Sequence, residues 1–586
     1  DSGKGEEDSK TYGKIENTGG TVITNTGLGT LEINNTTITS GSTAIVNNNT
    51  GSITVNDVTI NGTYSGIQNS NNGKVTINGG NITTTDSYGH VIKNLSSGII
   101  EINGGKIRGN RYTYGIQNAG TGKVIINGGE IYDSSWAAIG NESGELEING
   151  GNIDEIRNSG TAIVTGGNIT SSFVNSGTAT ITGGNISGRY SAVSNSKNGT
   201  LTIGIKDGIV NKSNPEIIGS ESGVSNEGTF NFYDGTIKGK TSAISGTVTE
   251  IEEGYEIITE KQNGYEVKYL DKLPIAKLVS TNVEYTDLQE AINAAINGET
   301  IEILRDATFI SSASTFEVPE EKNITIDLKG YILTRGNSTL LNNKGSLTIT
   351  DSGKGEEDSK TYGKIENTGG TVITNNESGT LEINNSIITS GSTAIVNNNT
   401  GNITINSGTI TGSNEGIENS KTGTIEVDGG SIDIIRNSGT LKMTGGTVTR
   451  SVVNYGDGIT TITSGILGGF SNGGIATITG GNISGSGVSN NRGGILTITG
   501  GTITGNSSAI SNSDGTVNIE SITLADSNIG ISNNSGIVNI AVNVTINANN
   551  IGLSNSGTIN IGTKDGNVST EMPIITGKTY GVNNSD

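Results

Sequence analysis

One phrase recurs through this chain and limits what it can fold into. Over 144–175 it reads GELEINGGNIDEIRNSG and then TAIVTGGNITSSFVN. Leu146 and Ile148 alternate with Glu145 and Glu147, the period-2 pattern of a strand with one buried side. Gly150-Gly151 then turns the chain. Ile153 supplies a second short apolar contact, and Ile156-Arg157-Asn158 a third, before Ser159-Gly160 leads into the next copy. Each copy predicts three short strands and holds too few apolar residues for a core of its own. Only stacked neighbours bury them.

The glycines that open successive copies are Gly29, Gly51, Gly73, Gly98, Gly122, Gly144, Gly160, Gly177, Gly199 and Gly228, in steps mostly of 16 to 25 residues. A parallel β-helix allows loops of variable length because each turn rises by one inter-strand distance, ~4.8 Å. The position closing the third strand is Asn throughout the first half: Asn47, Asn69, Asn94, Asn118, Asn141, Asn158, Asn175, Asn195 and Asn226. Side-chain amides in such a series can hydrogen-bond up and down a column. The expectation is therefore an all-β parallel solenoid with a structural asparagine ladder.

Composition bears on this at three points. The apolar fraction of 31% is low enough for disorder, but strict alternation in register argues for stacking instead. A net charge of −22 lacks the basic footprint that nucleic-acid binding needs. The chain has no cysteine, so neither disulfides nor thiol chemistry is available. No apolar run approaches a membrane span, and no direct membrane insertion of this segment is expected.

A larger repeat overlies the small one. Residues 1–25 are identical to 351–375, and 38–50 to 388–400. The strand pattern Gly345-Ser346-Leu347-Thr348-Ile349-Thr350 precedes Asp351, whereas nothing precedes Asp1. The sequence is accordingly expected to open in mid-turn, as a window on a longer chain. Between the two copies, turns are lost and regained whole, which a solenoid tolerates because each turn touches only its neighbours. Three segments follow: 1–249, a first β-helix module, incomplete at its start; 250–300, a junction; and 301–586, a second module. In the junction, Asn263-Gly264 between two strand patterns predicts a hairpin. Thr286 and Gln289 read as a capping box, with Leu288, Ile292, Ala295 and Ile296 on one helical face and Gly298 as C-cap.

The run Val283-Glu284-Tyr285-Thr286-Asp287-Leu288-Gln289-Glu290-Ala291-Ile292, then Gly298–Leu304, then Ile324–Gly330, resembles the opening segment of pectate-lyase-like right-handed parallel β-helices. The large repetitive versions on bacterial cell surfaces are the most similar. The resemblance implies right-handed coiling, which the handedness of parallel crossovers also favours. It implies no single function, since that fold carries lyases, hydrolases, tailspikes and passive adhesins.

Chemistry-bearing residues are few. Asp154 with Arg157, echoed by Asp433 with Arg436, is the best catalytic candidate, weighed against a surface ion pair. No second carboxylate joins both copies, because Glu155 becomes Ile434. His90 reads as an exposed loop residue with no partner. No catalytic residue, metal site or cofactor is assigned. Tyr64, Tyr88, Tyr112 and Trp136 lie 24 residues apart, and Tyr190 repeats the position. Such a stripe could stack on sugar rings or merely shield a corner of the solenoid. Thr-x-Thr pairs raise ice binding, but the outward column that contains them is mixed. The leading expectation is a non-enzymatic extracellular structural protein of a bacterial cell surface. It would form a rod-like segment of a fibre, stalk or adhesin, with further repeats or other copies of the protein as partners. Two other readings stay open: a glycan-binding adhesin that uses the aromatic stripe and, behind it, a polysaccharide lyase or hydrolase.

Overall fold

Each alternating run forms a short parallel strand whose partner is the corresponding strand one turn later. The computed structural model describes residues 13–132, 136–309, 315–353, 362–398, 400–420, 422–562 and 572–585; the expectation about Asp1 falls outside them. The chain forms two compact units, Asp1–Leu273 and Pro274–Asp586, and together these comprise about 24 turns of parallel β-solenoid.

In the first unit every turn supplies three faces. The first face stacks strands such as Lys123–Ile126, Glu145–Ile148, Thr161–Val164 and Thr178–Ile181. Leu146, Ala162 and Ala179 stand directly above one another in this register and are fully buried. The second face follows the glycine pair, as in Glu130–Tyr132, and the third ends on the ladder asparagine, as in Ala137–Asn141. Alternation sends one residue in two inward, and the inward residues of all three faces form one continuous core in each unit.

The ladder runs as the sequence implies and extends further. Asn118 Nδ2 donates to Asn141 Oδ1 of the next turn at 2.8 Å and to the Gly122 carbonyl of its own turn at 3.0 Å. Its Oδ1 accepts from Asn94 at 2.9 Å. Asn25 adds a rung below Asn47, and above Asn226 the series ends, with Asn226 Nδ2 donating to the Thr247 carbonyl. The second unit has its own ladder from Asn343 through Asn375, Asn397 and Asn419 to Asn555 and Asn584. Asn343 Oδ1, at the start, is buried without a hydrogen-bond partner. From Gly51 onward the glycines that open successive turns of the first unit are dictated by this packing: a Cβ at Gly122 would lie 2.2 Å from the Gly98 carbonyl oxygen and 2.4 Å from Asn94 Nδ2.

A second ladder, not anticipated from the sequence, runs outside the first face. It uses the asparagine that follows the first strand of successive turns: Asn56 donates to Asn34 at 2.6 Å, Asn78 to Asn56 at 2.7 Å, and Asn103 to Asn78 at 2.8 Å. These amides are exposed and compete with water, so each bond contributes little.

Both sides of the junction cover open strand edges. Tyr255–Gln262 and Tyr265–Lys272 pair antiparallel around Asn263 and Gly264, whose φ values of 52° and 80° suit the tight hairpin turn. The second of these strands lies antiparallel along Thr236–Gly239, occupying the edge that another turn would otherwise extend. The hairpin thus belongs to the first unit and the helix, Leu288–Ala294, to the second.

The helix differs from expectation at both ends. Its N-cap is Asp287, not Thr286; the Asp287 carboxylate accepts from the N–H groups of Gln289 and Glu290. Gln289 instead donates to the Glu317 carbonyl at 2.9 Å and accepts from its N–H at 2.7 Å. A side-chain amide thereby takes the place of a missing strand beside Phe316–Val318. The helix stops one turn early, with C-cap Ala295, while Gly298 lies beyond it at φ +84° and donates to the Asn323 carbonyl. Leu288, Ile292 and Ala295 are buried, but Ile296 falls past the helix end and is exposed.

Replacing Asn118 by Ala should leave the Asn141 acceptor and the Gly122 carbonyl without their donor inside the wall, a loss of about 2–3 kcal/mol. Asn103→Ala, on the outer ladder, should change stability by less than about 0.5 kcal/mol. Urea unfolding of the two variants, with amide exchange over residues 94–141, checks this. Equal losses would place the stabilising role outside the buried column.

Candidate functional site

The aromatic residues singled out by spacing all sit at the corner between the second and third faces. Tyr64, Tyr88, Tyr112, Trp136 and Tyr190 are 54%, 76%, 50%, 44% and 61% exposed. They do not form one stacked column. Tyr88 and Tyr112 stand six residues before their ladder asparagines, and their rings stack 6.1 Å apart at 19°. Tyr64, Trp136 and Tyr190 stand five before theirs, one step out of phase. Period-2 side-chain direction makes that one-residue difference decisive.

Arginine accompanies the rings. Arg108 lies over Tyr132 at 5.9 Å, Arg111 over Tyr112 at 5.4 Å, Arg157 over Trp136 at 4.7 Å, and Arg189 over Tyr190 at 5.8 Å. These four are every arginine of the first unit. Placing all of them over aromatic faces makes the corner a guanidinium-and-ring surface on an otherwise acidic chain.

Two hollows lie on this corner and share Trp136. The smaller, about 310 Å³, is lined by Tyr88, Tyr112 and Trp136. The larger, about 540 Å³, lies between Trp136 on one side and Arg189 and Tyr190 on the other. Its floor comes from two turns in which the second strand runs into the third with no corner loop, Asn152–Asn158 and Asn168–Asn175. Asp154, Glu155, Ser171 and Ser172 line that floor. The loss of two corner loops opens the hollow, and the rings on the neighbouring looped corners wall it.

The expected Asp154–Arg157 pair is not formed. Arg157 Nε donates to Glu155 at 2.7 Å, because residues two apart on a strand share a face whereas residues three apart do not. Asp154 instead accepts from the Thr170 hydroxyl at 2.7 Å. In the second unit Asp433 is buried and accepts from the Gly412 and Ile434 N–H groups, while Arg436 pairs with Glu415 and donates to the Tyr455 hydroxyl. Other buried carboxylates are similarly occupied: Asp351 accepts from the N–H groups of Gly330 and Gly363. Among the described residues no group of three His, Cys, Asp or Glu side chains could hold a metal ion, and no helix is long and apolar enough to cross a membrane.

His90 is not a free loop residue. Its Nδ1 accepts the Tyr114 backbone N–H at 2.8 Å, and its ring stacks on that of Tyr114 at 5.3 Å. Burial, reinforced by the nearby Lys93 charge and opposed by Glu142, pushes its pKa down to about 4. The neutral ring is therefore the folded form across the physiological range. Below the ordinary value of 6.5 the unfolded chain takes up a proton that the folded chain refuses. The stabilising contribution is complete above that value and is lost as pH falls toward 4. Only the spacing of the aromatic corner hinted at this contact in the sequence.

As the sole histidine, His90 should give a single imidazole Cε1–H signal in NMR that titrates with a midpoint near 4. A midpoint near 6.5 would mean that the Tyr114 contact does not form. No family model matches this chain, and no curated protein or solved structure does either.

Proposed function

We propose that this chain is a non-enzymatic structural repeat protein of a bacterial cell surface, a segment that gives length to an extracellular fibre, stalk or adhesin. The ladder carries this reading. In turn after turn the same amide is committed to holding the next turn, so the repeat serves extension instead of converging on one reactive centre. The differences between the two units point the same way. Loops vary at the corners and whole turns are gained or lost, while the ladder position keeps its asparagine. Its partners are then further repeats or other copies of the same protein.

Antibodies against the folded chain should label intact cells that express the full-length protein. Labelling only after permeabilisation would overturn the surface role. The purified chain should release neither reducing ends nor unsaturated sugars from a polysaccharide panel, and release of either would overturn the non-enzymatic reading.

A further inference from the structure

We infer that the hollow between Trp136 and Tyr190 is a binding site for a neutral oligosaccharide. Three observations converge on it. First, the hollow has a built shape. Three turn rises separate its two ring walls, roughly 14 Å at ~4.8 Å per turn, enough for a short run of pyranose units laid parallel to the stack. Second, its chemistry is that of sugar recognition. Trp136 and Tyr190 each carry an arginine over the ring yet stay 44% and 61% exposed, and that remaining ring surface suits the C–H face of a pyranose. Arg189 supplies donors in a planar fork, and Asp154 and Glu155 supply acceptors for hydroxyls. Thr170 and Arg157 each occupy one of those carboxylate oxygens, which fixes the carboxylates in place. Third, the site is electrically balanced: of the lining charges, Glu155 is paired with Arg157 beside the hollow, and Asp154 faces Arg189, within a chain of net charge −22. An anionic glycan would meet the long-range repulsion of the whole chain with no excess of local cations to offset it. A neutral one meets neither.

The second unit shows that the walls are not required for folding. It has the same pair of loopless turns, Ser431–Asn437 and Thr447–Asn454. Its flanking corners carry Ser413-Asn414-Glu415 and Gly468-Gly469 where the first unit has Trp136 and Tyr190. The backbone device therefore closes without rings at these corners.

Trp136 is the only tryptophan in the protein, so the site carries its own reporter. The full chain would be titrated with cellohexaose, mannohexaose and a galactose-based neutral hexasaccharide, and with hexagalacturonate as the anionic contrast, while Trp136 fluorescence is followed. At least one neutral probe should give a saturable change. Tyr190→Ala should weaken it about tenfold, the loss of one stacking face; Arg189→Gln should also weaken it, and Tyr64→Ala should leave it unchanged. Both Tyr190 and Tyr64 are largely exposed, and an unchanged melting curve confirms that the variants fold. No response to any neutral probe, a response to hexagalacturonate alone, or wild-type binding by both Tyr190→Ala and Arg189→Gln would overturn the proposal.

Discussion

A primary amide taken out of water must find partners for two donors and an acceptor, and here two of the three come from adjacent turns. That requirement organises the molecule. Within the column an asparagine such as Asn118 gives its N–H groups to its own turn and to the next, and accepts from the turn before. An isolated turn would keep only the bond to its own carbonyl and would leave the second N–H and the carbonyl oxygen without partners, at a cost comparable to the burial of a large apolar side chain. The apolar stacks favour close approach of the turns but tolerate slippage. The amide column does not, because a one-residue shift would break the bonds on both sides of a rung at once. Apolar burial thus stabilises the stack, and the asparagines fix its register.

Once register is fixed, corners become free to vary. Loops at the corner between the second and third faces lengthen, shorten or vanish without disturbing the strands on either side. The two loopless turns of the first unit show how far this goes: Asn152–Asn158 and Asn168–Asn175 pass through the corner as single strands and absorb the bend in an irregularity between Ile153 and Glu155. The aromatic and arginine side chains occupy the same corner. Surface chemistry is thereby decoupled from the fold, and one unit can carry rings there while the other carries glycine and glutamate.

The parts legible from sequence were those governed by a period. Alternation located Leu146 and Ile148 in the core, and the fixed offset of asparagine from the last apolar residue located the ladder. The outer amide ladder was equally periodic, in the residue after the last apolar position of the first strand. It was missed because asparagine beside glycine also reads as ordinary turn chemistry. What depended on a one-residue choice was misread. Thr286 and Asp287 are both competent caps, and only the entry path of the chain selects Asp287. Asp154 and Glu155 are both within reach of Arg157 in sequence, and the strand face selects Glu155. The stripe at 24-residue spacing resolved into two phases for the same reason. His90 was misjudged because its contact with Tyr114 joins neighbouring turns, beyond any local pattern.

The amide column also has a sense of direction. Each carboxamide donates toward higher residue numbers, so the small dipoles add along the axis much as peptide dipoles add along a helix. In the second unit the column opens on a bare carbonyl oxygen, Asn343 Oδ1. A turn inserted the other way up would meet its neighbour oxygen to oxygen. Turns of this protein can be duplicated, deleted or spliced only head to tail, and the length of such a chain can evolve freely while its polarity cannot.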